Sequence, residues 1–310
     1  MDLSTVAVPA PDAAAEPAGF VVTVGPGDRI HFLDWGGAPA TVDRPGVLLI
    51  HGLSQTAWTW APVARRLRAA AKTVAMDLRG HGLSDAPTGD DDYEPAILAE
   101  DVVAAAEGSG VLAPDGRVVL AGHGFGAIVA AWAADRLGDR CAGLVLVDGG
   151  WESLERATGL ELDEFLRGLD EPPEVMRSMV AFLADRKGFD PATWDADQRR
   201  AAEATVVETH AGRVVPATRP HALAASVRTM FGYDPLETLS GIVAPVVALL
   251  AADDEDGSRG AALDAASRAR VESGGSPIPR VSFGADGHNL MRYRPREVTA
   301  AILALVRPTA

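Results

Sequence analysis

Six clusters of residues able to do chemistry punctuate this 310-residue chain, and each follows a strand-like run. They are His51-Gly52-Leu53-Ser54-Gln55, Asp77 to Asp85, Gly122-His123-Gly124-Phe125-Gly126, Asp148-Gly149-Gly150, Asp253 to Gly257, and Asp286-Gly287-His288-Asn289. Histidines and aspartates beside glycine-rich turns are the groups that move protons. Gly122-x-Gly124-x-x-Ala127 also satisfies a dinucleotide-binding pattern, with Asp148 at about the 20-residue spacing that pattern uses. However, two strand–loop–helix units precede it, whereas the pattern normally sits in the first, and it leaves the other clusters unexplained. No cofactor is expected.

The elements that would carry these clusters alternate. Phe20 to Val24 and Ile30 to Asp34 read as a hairpin across Gly25-Pro26-Gly27-Asp28. Val47 to Ile50, Thr73 to Met76, Val118 to Ala121, Gly143 to Val147, Val246 to Leu250 and Arg280 to Phe283 read as further strands, mostly apolar runs suited to burial on both faces. Helical stretches fall between them: Trp58 to Ala71, Glu94 to Glu107, Ala127 to Leu137, Ala261 to Val271 and Val298 to Val306. This order predicts an α/β fold, a mostly parallel eight-stranded sheet with helices on both faces. Ligands of such sheets bind beyond the carboxyl ends of the strands, where all six clusters fall. Between residues 151 and 235 the alternation stops and charged helical segments take over, as expected of an inserted helical lid. The expected organisation is a flexible tail over 1–19, a core over 20–150 and 236–310, and the lid between.

A net charge of −15 excludes a general binder of nucleic acid or anionic membrane, both of which need positive potential. Cys141 is the only cysteine, so neither an intrachain disulfide nor a cysteine metal cluster is available. The acidic run Asp253 to Asp256 lacks the loop pattern of a calcium site, and no metal is expected. Residues 1–19 have no basic region and no continuous apolar core, hence no signal-peptide character. The expectation is a soluble, cytoplasmic protein whose partner is a small-molecule substrate.

In their order and placement the clusters resemble the α/β-hydrolase fold family from about Phe20 onward. Four motifs carry the resemblance: His51-Gly52-Leu53, Asp77-Leu78-Arg79-Gly80-His81-Gly82-Leu83-Ser84, the glycine-rich turn around Gly124, and Gly287-His288. The resemblance implies a nucleophile on the turn of a Gly-x-Ser-x-Gly elbow, a histidine base and a carboxylate that orients it. His288 matches the base. Asp254 best matches the carboxylate, with Asp253, Asp256 and Asp148 as alternatives. The backbone N–H groups of Leu53 and Phe125 would form the oxyanion hole. At the nucleophile position the chain has Gly124, which fits a strained turn but has no hydroxyl. Ser54, His123 and Trp151 are candidates for substrate contact. Arg79 and His81 read as loop-fixing residues, His210 and His221 as surface or packed residues of the lid, and Phe165, Met176, Met179, Phe182 and Phe231 as apolar residues able to line a pocket.

Three readings follow. His288 with Asp254 could act as a general base on water, giving hydrolysis, or on a substrate C–H or O–H, giving a lyase or cyclase reaction, while Leu53 and Phe125 hold a developing oxyanion on a small, largely apolar ester, thioester or lactone. Gly124 could instead be an engineered knockout of an ordinary serine hydrolase. Lastly, the chain could bind a ligand without transforming it.

Overall fold

The computed structural model describes residues 3–169, 172, 174–251, 257–284 and 286–306. Its core elements run β1 (Ala18–Val24), β2 (Asp28–Gly36), β3 (Gly46–Ile50), α1 (Ala61–Leu67), β4 (Thr73–Met76), α2 (Pro95–Gly108), β5 (Val118–His123), α3 (Phe125–Leu137) and β6 (Cys141–Val147). Five helices and a small hairpin follow: α4 (Leu154–Thr158), α5 (Leu162–Gly168), α6 (Met179–Phe189), α7 (Ala196–Ala204), β7 (Val206–Glu208), β8 (Val214–Pro216) and α8 (Pro220–Phe231). The chain then returns to the core with α9 (Pro235–Gly241), β9 (Val246–Leu250), α10 (Ser258–Glu272), β10 (Arg280–Ser282), α11 (Leu290–Tyr293) and α12 (Pro295–Val306).

Eight strands form one sheet in the order β1-β2-β4-β3-β5-β6-β9-β10. The two pairings made by β2 are antiparallel and all others are parallel. The central strands are uninterrupted apolar runs because both faces are covered. Leu48, Ile50, Leu120, Leu144 and Leu146 point into one core with α2 and α3. Their chain neighbours Val47, Leu49, Val119, Val145 and Val147 point into the other with α1 and α12. That period-2 division fixes the register, since a one-residue slip would turn each strand's side chains into the wrong layer.

Between β6 and β9 no strand among the described residues joins the sheet. Among the described residues β7 and β8 pair with each other in a separate two-stranded hairpin, whose three-residue strands carry no strand signal in the sequence. Residues 3–17, expected as a tail, lie along α1. The Arg65 guanidinium donates to the carbonyls of Asp12, Ala13 and Ala15 and meets Glu16, and Arg66 donates to the Pro9 carbonyl. No helix among the described residues is long and apolar enough to cross a membrane.

Candidate active site

The register of the central strands brings their carboxyl ends level: Ile50 pairs with Met76 and Gly122, and His123 pairs with Val147. The next residues of β5 and β6 are Gly124 and Asp148. The Gly124 N–H donates to the Val147 carbonyl at 3.1 Å, and the Asp148 N–H donates to the Leu249 carbonyl at 2.8 Å. The sheet itself therefore holds both residues.

Gly124 caps α3 at φ 52°, ψ −116°, a backbone that L-residues rarely adopt. Two flanking glycines allow the turn to be this tight. A Cβ on Gly126 would lie 2.3 Å from the His51 carbonyl oxygen, and one on Gly122 would lie 2.1 Å from that of Gly126. A Cβ on Gly124 itself would point at His288, 3.2 Å from Nε2.

His288 enters from the loop after β10. The Arg294 Nε donates to Asp286 at 2.7 Å, and the Leu290 N–H donates to the His288 carbonyl at 3.0 Å. The buried His123 ring lies against the His288 ring with centroids 4.3 Å apart, and its Nε2 is 3.0 Å from the same carbonyl. A carbonyl only accepts, so that nitrogen carries the proton. The His123 Nδ1 lies 3.1 Å from Gln55 Oε1, and burial, then the proximity of His288, push the His123 pKa well below its ordinary value. His123 thus positions the loop and does not line the cavity described below.

Asp148 is the carboxylate that meets His288: its Oδ2 is 2.6 Å from Nδ1. Asp253, Asp254 and Asp256, weighed for this position, lie outside the described residues. The Asp148 Oδ1 accepts from the Ala251 N–H at 2.9 Å and from Arg259 at 3.0 Å, and Arg259 also meets Glu152 at 2.8 Å. Burial alone would raise the Asp148 pKa, but the His288 hydrogen bond and charge, with Arg259 and Ala251, outweigh it and hold the pKa below the ordinary value. The carboxylate stays charged beneath the imidazole, while 55% of the His288 side chain remains exposed on the other side.

The His51 loop supplies the opposite wall. His51 Nε2 accepts from the Leu78 N–H at 3.0 Å, so Nδ1 carries the proton and donates to the Gly52 carbonyl at 2.8 Å. Gly52 to Gln55 close a turn through Gln55 N–H to Gly52 O, 3.2 Å, with Ser54 at φ 57°. Gln55 accepts from the Gly52 N–H and donates to Asn289, tying this loop to the one bearing His288. Among the described residues the Leu53 N–H has no hydrogen-bond acceptor. Phe125 opens α3, where the first N–H groups have no partner within the helix.

A cavity of about 440 Å³ adjoins these loops at Ser54, Gln55 and Asn289 and extends under α6 and α7. Met176 and Phe182, named from sequence, line it, as does Ser54; Phe165 and Phe231 instead meet edge to face, centroids 5.9 Å apart. Trp151 is fully buried beneath Arg259 and lies outside the cavity lining. The Asp77 motif is structural. Asp77 accepts from the Ala57 and Leu83 N–H groups and pairs with His31 at 2.8 Å, and Arg79 forms a two-pronged pair with buried Asp101, 2.7 Å on each arm.

Residues not singled out from sequence are Gln55, Asn289, Arg259 and Arg292. The first two sat beside singled-out residues; Arg259 and Arg292 resemble any helix arginine until the chain is folded.

The alpha/beta hydrolase family signature matches residues 47–302. The chain is similar to Esterase PIR7B of Oryza sativa subsp. japonica, 34% identical over 39% of this chain and 44% of that protein. It is also similar to Epoxide hydrolase 3 of Xenopus tropicalis, 32% identical over 42% and 33%. The matched stretch thus spans half or less of these relatives. An E-2-(acetamidomethylene)succinate hydrolase shares the fold, with TM-score 0.72 and 23% identity over 93% of this chain and 98% of that one. With the family signature covering most of its length and the sheet order on the page, the chain belongs to the alpha/beta hydrolase family.

Proposed function

We propose that this protein hydrolyses a small carbonyl substrate of the ester, thioester or lactone class by direct attack of water, with His288 as general base and Asp148 orienting it. The observation that carries this reading is the aim of His288. Its Nε2 faces the space over Gly124, and its Nδ1 is held by a buried charged carboxylate at 2.6 Å. A water in that space gives its proton to Nε2 as its oxygen bonds to the carbonyl carbon. The carbonyl oxygen takes up negative charge between the Leu53 and Phe125 N–H groups. Collapse of the adduct breaks the bond to the leaving group, which receives the proton back from Nε2. No covalent enzyme intermediate forms, because Gly124 offers no nucleophile.

The second reading, a serine hydrolase whose serine has been exchanged for glycine, is favoured by the space at Gly124. A side chain there needs His288 to yield by only a few tenths of an ångström, and His288 is half exposed. Hydrolysis of small aryl esters and thioesters by the protein and by Gly124→Ser separates the two. Direct water attack predicts turnover by the unchanged protein, lost in His288→Ala, with no large gain in Gly124→Ser. A serine hydrolase stripped of its nucleophile predicts a gain of about 10³-fold or more in Gly124→Ser. A protein that only binds predicts no turnover by either.

A further inference from the structure

Among the described residues, three charged side chains line the cavity beside the site: Asp185, Arg186 and Arg292. Asp185 and Arg186 lie 3.5 Å apart and offset each other. Arg292 has no carboxylate partner among the described residues. It is nevertheless fixed: Nε donates to the Thr193 hydroxyl at 2.6 Å, and Nη2 donates to the Asp190 carbonyl at 2.7 Å. Both acceptors are neutral; the Asp190 carboxylate, which accepts from the Thr193 hydroxyl at 2.9 Å, offsets the guanidinium charge only through space, and Nη1 makes no hydrogen bond to any described residue. A planar fork that lines a cavity, with its rotamer already set and one nitrogen without a hydrogen bond to any described residue, loses little entropy when it takes an anion. In a chain of net charge −15, whose overall field repels anions, one such cation in the cavity wall selects for a negatively charged group at that place.

Arg292 stands three residues beyond Asn289, which bridges to Gln55 and also lines the cavity. Met176, Phe182, Phe189 and Trp194 supply apolar surface in the same wall. We propose that the substrate carries a carboxylate, bound by Arg292, on an apolar body in this cavity, which would present its reacting carbonyl to His288; this last step rests on the function proposed above. The carboxylate pairs with Nη1, and Arg292 is a substrate-binding residue that sets specificity for an anionic acyl or leaving group.

The test is equilibrium binding of two isosteric probes, 4-phenylbutyrate and 4-phenylbutyramide, by calorimetry. The carboxylate is expected to bind at least about tenfold tighter than the amide, in keeping with a hydrogen bond to a charged group. Arg292→Gln should remove that preference while leaving the amide's Kd within about twofold, with a modest fall in the thermal midpoint from the lost Thr193 and Asp190 hydrogen bonds, and Arg292→Lys should retain part of the preference. Equal affinity for the two probes, a preference that survives Arg292→Gln, or no binding of either would overturn the proposal. Binding reports on Arg292 independently of turnover. A carboxylate preference in a protein that hydrolyses nothing would sink the proposed function and leave this inference standing, and the converse result would do the reverse.

Discussion

Ser54 and Asp148 are the two non-glycine residues with positive φ among the described residues, and they stand on opposite walls of the site. Such conformations cost about 1–3 kcal/mol each and persist where surrounding structure overrides them. For Asp148 the compensation is visible: one carboxylate oxygen takes His288, and the other takes the Ala251 N–H and Arg259. Replacing that carboxylate by an amide would leave the shape but lose the charge that orients the imidazole. If His288 is the base, Asp148→Asn should lower kcat by about 10³-fold or more, whereas Asp254→Asn should leave it within a fewfold. The opposite ranking in a steady-state assay would move the acid to the acidic run that follows β9 in sequence. Gly124→Ser should also cost about 1–3 kcal/mol of stability, since it forces a side chain onto a φ of 52°. Denaturant midpoints for the pair of proteins measure this directly.

At the scale of elements, α3 can start where it does only because glycine stands at 126. Its backbone lies against the carbonyls of Ile50 and His51, and a methyl group there would come within 2.3 Å of one and 2.4 Å of the other. Both contacts are with backbone, so neither can rotate away. Gly126→Ala should therefore destabilise by about 3 kcal/mol or more, by prising α3 from β3, and an unchanged melting temperature would show that the turn has slack. The sheet was legible in the sequence because each central strand is an apolar run closed by a glycine or polar cluster, as Val118 to Gly122 shows. The site was legible only up to its chain-distant contacts. His288 and Asp148 are far apart in sequence, and nothing local distinguishes Asp148 from the acidic run after β9; the succession of β6, β9 and β10 in the sheet brings Asp148 to His288. The N-terminal segment was misleading for a related reason. Its Ala- and Pro-rich composition promises little structure, but Arg65 and Arg66 on α1 take up its carbonyls.

For the whole molecule, three buried histidines make stability sensitive to acid. Burial lowers the pKa of His51 and His123 from the ordinary 6.5, and it takes that of His81, with the nearby His51, down to about 3. Below pH 6.5 the unfolded chain takes up protons at these positions that the folded chain refuses. Stability is therefore complete above that pH and falls as the pH drops. Each histidine contributes up to about 1.4 kcal/mol per pH unit. Urea midpoints at pH 7.5, 6 and 5 should decline by an amount corresponding to up to three protons, and His81→Leu should shallow the slope by up to one. A flat profile over that range would mean that these rings are protonated in the fold.

If water is activated by His288, the rate of aryl-ester hydrolysis by His288→Ala relative to the unchanged protein is the quantity to measure. The expected result is a fall of about 10²–10⁴-fold, the range for removal of a general base, with Asp148 and the loops undisturbed by thermal melting. A rate that survives the loss of the imidazole would contradict the proposed chemistry.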